Sequence, residues 1–181
     1  MGTTKTKTKK SATKKVDPSF LGLLNTIAVA ETEAERFLLG WANVTDSPEV
    51  EKALRFVAMR EGEHGKAFAK RMLELGYEVR WPASKVSDAK FAMACSSMSD
   101  VEKFDVFNVG RAPGGPDVFD RMFENKDLDP VTGGLLGRYI AEERDSGRVL
   151  HEARLCAEKI AKQAKPAKRT GKKNGKKKSK K

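Results

Sequence analysis

Glu61 and His64 stand three residues apart, and Glu31 falls at a matching break in an apolar pattern earlier in the chain. On a helix, a Glu-x-x-His step puts both side chains on one face a turn apart, near enough to share a metal ion. Carboxylate oxygen and imidazole nitrogen together are metal-ligand types. The neighbours indicate which way these side chains point. Glu31 interrupts the stripe Leu24, Ile27, Ala34 and Leu38, while Glu61 and His64 sit between Val57 and Phe68. An unpaired buried carboxylate costs several kcal/mol, so an inward one must be neutralised, paired or coordinated. In the competing reading, Glu61 and His64 bond only to each other, to Arg60 or to Arg71. Glu-x-x-His is short and recurs by chance; Glu31 at mid-stripe on the preceding element is what sharpens it.

These residues need helices to position them, and the apolar steps of three and four supply the pattern. The first helix is predicted from Pro18 to about Ala42 through Phe20, Leu24, Ile27, Leu38 and Trp41. The second starts with Ser47 as N-cap and Pro48 in the first helical position, and it ends near Leu75 before Gly76. A third helical region is expected from about Ser87, with Phe91, Ala94, Cys95, Met98 and Glu102 on one face. There Glu102 is either a metal ligand or the far half of a capping box with Ser99. The segment 110–116, rich in Gly and Pro, reads as a loop, and a short helix is predicted from Val118 to Phe123. The last helix is expected after Thr132-Gly133-Gly134, with those glycines in a turn, and runs to about Lys162. Neither strand alternation nor a repeat stands out, so the body is expected to be all-α.

Ala30-Glu31-Thr32-Glu33-Ala34 followed by Glu61-Gly62-Glu63-His64-Gly65 resembles the first half of the ferritin-like superfamily, rubrerythrins and bacterioferritins in particular. The resemblance spans roughly residues 20–75. It implies a four-helix ferritin-like bundle and a di-iron centre cycling between Fe2+ and Fe3+, with Glu31 a ligand from the first helix, Glu61 the bridging carboxylate and His64 the histidine ligand. Such centres react with dioxygen or peroxide, or oxidise ferrous iron.

The second half departs from that pattern. Sliding the second-helix stripe along the last helix aligns Glu143 with Glu61 but leaves Ser146 where His64 would be. A register one residue earlier turns Glu142 inward instead; the first is preferred because it also matches Gly65-Lys66 to Gly147-Arg148. Neither register holds a second histidine. His151 falls outside both stripes and reads as a surface residue. Two explanations stay open: the site has become mononuclear or lost its metal, or two chains each contribute Glu31, Glu61 and His64 across a two-fold axis, as encapsulated ferritin-like proteins do in outline.

The net charge of +11 hides a division. Residues 1–16 hold six lysines and residues 162–181 hold eleven Lys or Arg, with no acid in either; the remaining nineteen basic residues face all 25 acids, leaving the body near −6. Tails at 1–17 and 164–181, flanking a body at 18–163, are therefore expected to be disordered, because runs of Lys among Gly, Ser, Thr and Asn bury no apolar area. Lys172, Lys173, Lys176, Lys177 and Lys178 are the candidate contacts to a polyanion, nucleic acid above all. An all-α body with basic arms also fits a second function, a non-enzymatic DNA-binding, nucleoid-associated protein. Ferritin-like proteins that coat DNA with lysine-rich tails offer the analogy. No transmembrane run is present, and Cys95 and Cys156, set in apolar stretches rather than a Cys-x-x-Cys pair, suggest reduced core thiols in a cytoplasm.

Overall fold

The computed structural model describes residues 17–82, 85–112 and 119–164. Most of both lysine-rich tails, including the five candidate lysines, and Val118 of the predicted short helix lie outside them. The described residues form five α-helices and one short 3-10 helix, with no strand among them. None of these helices is long and apolar enough to cross a membrane.

Helix α1 (Leu21–Ala42) and helix α2 (Pro48–Glu74) form an antiparallel pair joined by a tight turn. As predicted, Ser47 caps α2, its side chain accepting from Val50 N at 3.4 Å, with Pro48 in the first turn. The other end closes on Gly76 at φ +89, where Tyr77 N–H reaches back to the Met72 carbonyl at 2.9 Å, a conformation glycine adopts without strain.

Helix α5 (Pro130–Ala164) lies antiparallel to α2, tied at one end by Arg71 to Thr132 and further along by Arg60 to Asp145. It starts earlier than expected and carries Gly133 and Gly134 inside its first turns. The reason is Asp129, whose carboxylate accepts from Val131 N and Thr132 N, both at 3.0 Å, nucleating the helix ahead of the glycines.

The third helical region breaks into α3 (Lys85–Ala94) and α4 (Asp100–Phe107), the second opening on the Ser99–Glu102 capping box. Helix α3 flanks α1 through the Arg36–Asp88 ion pair. Helix α4 covers the C-terminal end of α1: Trp41 Nε1 donates to Asp100 at 2.7 Å, and Phe37 stacks on Phe107 with ring centres 5.0 Å apart. At the opposite end Phe119, Met122 and Leu128, around a 3-10 helix at Asp120–Phe123, pack on α1 and α5 residues.

The core is in two parts. One gathers Trp41, Leu54, Val57 and Phe104; the other gathers Leu24, Ile27, Phe68 and Leu136. Each large side chain buried there contributes about 1.5–3 kcal/mol. A polar layer divides them, and it contains the residues singled out by type and spacing. The cysteines are not core residues: Cys95 is exposed and Cys156 half-buried, because α3 ends at Ala94 and α5 turns position 156 toward its edge.

Candidate metal centre

Gly65 lets the helices meet at this layer. A Cβ on Gly65 would stand 2.5 Å from Thr32 Oγ1 and 3.0 Å from Thr32 N, and one on Gly62 would collide with the Glu35 carboxylate. Glycine inside a helix costs about 1 kcal/mol relative to alanine. Here it admits α1 against the stretch of α2 that bears Glu61 and His64, bringing Glu31 alongside them.

Glu31, Glu61, His64 and Glu143 converge, and one ligand atom from each lies within 4.8 Å of the others. The first three are almost fully buried, at 8%, 4% and 5% exposure. His64 Nδ1 faces inward, 3.5 Å from Glu61 Oε2 and 3.3 Å from Glu143 Oε1. These three atoms are buried and make no hydrogen bond. Orphaned buried polar atoms are uncommon and call for a cause. A group of three carboxylates and one imidazole fits a metal ion, which would satisfy all of them at once.

Tyr139 completes the inner wall. Its hydroxyl donates to Glu31 Oε1 at 2.7 Å, and its ring meets the His64 ring edge-on, centres 5.0 Å apart. Behind the imidazole, Glu142 Oε2 lies 2.7 Å from His64 Nε2, and Arg138 Nε holds the other oxygen of Glu142 at 3.0 Å.

Without a cation the group must hold protons. Burial raises the Glu31 pKa, and Glu61 and Glu143 push it further, to about 9, against the lowering effect of the Tyr139 hydrogen bond. Burial opposes a charged His64, yet Glu143, Glu61 and Glu142 outweigh it and lift the imidazole to about 10. Burial acts first on Glu143 too, raising it, whereas in Glu61 the close approach of His64, Glu31 and Glu143 outweighs burial and lowers it. A divalent cation would take the place of those protons.

The register with Glu143 inward is the one adopted. Ser146 is buried beside it, as that register requires, and its hydroxyl accepts from Arg60 Nη1 at 3.2 Å. A guanidinium thus reaches the position where the comparison of helices looked for a second histidine. Glu102 is corrected as a ligand: it is exposed, and its carboxylate accepts from Ser99 N at 2.8 Å, so the capping box takes it. His151 is half-buried rather than fully at the surface, its Nδ1 3.1 Å from the Gly110 carbonyl. The contributions of Tyr139 and Glu142 were not read from the sequence. Tyr139 had a signal, standing four residues before Glu143 on the same stripe, whereas Glu142 appeared only as the rival of Glu143.

No protein-family model, curated protein or solved structure matches the chain.

Proposed function

We propose that this is a ferritin-like, non-haem iron protein that holds one iron ion per chain between Glu31, Glu61, His64 and Glu143 and uses it for oxidase, peroxidase or ferroxidase chemistry. The observation that carries the reading is the convergence of orphaned atoms from Glu61, His64 and Glu143 in a buried layer. Three hard carboxylates with one imidazole and no thiolate favour iron or manganese over structural zinc or copper sites. When bound, iron supplies one-electron chemistry with dioxygen or peroxide. The residues supply the rest: Glu31 is held in place by Tyr139, the flanking apolar clusters limit water, and Gly65 sets the spacing of α1 and α2.

One ion rather than two is supported by the donor count and by Arg60, whose positive charge at Ser146 would repel a second cation. All four donors come from one chain, so this proposal needs no partner subunit to complete them. The bundle itself is part of the proposal, with α1, α2 and α5 as three corners and α4 together with the 119–128 segment sharing the fourth.

The test is to load the protein with ferrous iron without oxygen, admit dioxygen or peroxide, and follow ferric absorbance. The proposal expects oxidation faster than that of free ferrous ion, lost in Glu61→Ala; a rate equal to the free ion would reject it.

A second reading follows from the charge blocks at the chain ends: nucleic-acid binding by the tails, placing the iron centre beside a polyanion.

A further inference from the structure

Glu142 and Glu143 are consecutive on α5, and between them they address both nitrogens of one imidazole. Glu143 Oε1 faces His64 Nδ1 at 3.3 Å, on the side of Glu31 and Glu61, while Glu142 Oε2 faces Nε2 at 2.7 Å on the outer side. The two contacts differ in kind. The inner one makes no hydrogen bond at Nδ1, whereas the outer one is within hydrogen-bond distance and its carboxylate is anchored by Arg138.

We propose that Glu142 is a positioning residue for the metal centre: by accepting the Nε2–H proton it fixes His64 in the tautomer whose Nδ1 lone pair points at Glu31, Glu61 and Glu143. A neutral imidazole carries its one N–H on either nitrogen, and only the tautomer protonated at Nε2 can donate Nδ1 to a cation in this layer. An ionised carboxylate is a stronger acceptor than water for that N–H, and it also orients the ring. Arg138, four residues earlier on the same helix, limits the freedom of Glu142 to turn away. Glu142 touches the ring from the far side of the cluster and acts only through His64.

This inference rests on the metal reading, and the experiment separates the two. Wild-type protein, Glu142→Gln and Glu142→Ala are titrated with cobalt(II), and each is loaded with cadmium-113 for long-range proton–nitrogen spectra of the histidine rings. In wild type the inference expects His64 Nδ1 to couple to cadmium while a slowly exchanging proton remains on Nε2. Glu142→Ala is expected to lose about tenfold or more in cobalt affinity, with the Nε2 proton lost to fast exchange. Glu142→Gln keeps a carbonyl acceptor and is expected to fall between them. Cadmium coupled to Nε2, or a Glu142→Ala affinity within about twofold of wild type, would overturn the role of Glu142 while leaving the metal centre standing. Wild-type protein that takes up neither cobalt nor cadmium would overturn the metal reading and this inference together.

Discussion

Alanine at Gly62 and alanine at Gly65 have opposite expected effects, although both positions lie in the same turn of α2. In an ordinary helix interior, Gly→Ala stabilises by about 1 kcal/mol. At Gly62 the three atoms nearest the new methyl all belong to the carboxylate of Glu35, the far end of a half-buried side chain, which can swing aside. Gly62→Ala is therefore expected to keep most of that gain. At Gly65 the methyl meets Thr32 Oγ1 at 2.5 Å, Thr32 N at 3.0 Å and the Ala28 carbonyl at 3.3 Å. Two of those are backbone atoms, and the hydroxyl is held by its own 2.8 Å bond to Ala28 O. Helix α1 has to retreat by a few tenths of an ångström, and overpacking of that kind costs about 1–3 kcal/mol. After the helix-propensity gain, Gly65→Ala is expected to lose up to about 2 kcal/mol. Because Thr32 adjoins Glu31, the same retreat moves a ligand, so metal affinity falls as well. Urea denaturation with chelator present gives the stability, and cobalt titration gives the affinity. A Gly65→Ala protein as stable as Gly62→Ala, with wild-type affinity, would refute the close-approach argument.

Tyr139→Phe removes the donor to Glu31 Oε1 and is expected to cost about 1–3 kcal/mol in stability and to weaken metal binding, read by denaturation and cobalt titration. The metal-free protein is expected to lose stability as pH rises from about 6.5 to 9. Over that range folded His64, with its pKa at about 10, and folded Glu31, at about 9, hold protons that the unfolded chain releases above their ordinary 6.5 and 4.5. Each excess proton lowers stability by up to about 1.4 kcal/mol per pH unit, so denaturation midpoints at the two pH values, measured with chelator, check the sign. Removing residues 1–16 and 164–181 is expected to abolish DNA binding by the full chain, which should itself weaken steeply with salt in a mobility-shift titration.

The helices were legible because apolar steps of three and four mark buried faces wherever the chain is regular, and because Ser47-Pro48 and Ser99 with Glu102 carry local capping chemistry. The start of α5 was not, since Gly133-Gly134 speaks for a turn, and only the contacts of Asp129 with Thr132 and Arg71 show why the helix runs through it. Glu31, Glu61 and His64 stood out because each breaks an apolar stripe, a pattern read within one helix at a time. The apolar stripe did not separate Glu143 from Glu142; the match of Gly65-Lys66 to Gly147-Arg148 pointed to Glu143, and distant contacts such as Arg60 with Ser146 fix that register. Glu102 shows the limit of the method: one glutamate satisfied two patterns, and the local backbone bond prevailed over the remote site.

Bound iron per chain, measured by elemental analysis after anaerobic loading with ferrous iron, tests the centre most directly when wild type is compared with Glu61→Ala and His64→Ala. The account predicts about one iron per wild-type chain and none retained by either variant. Two irons per chain would contradict the single-ion site, and wild-type protein without stoichiometric iron would contradict the iron centre itself.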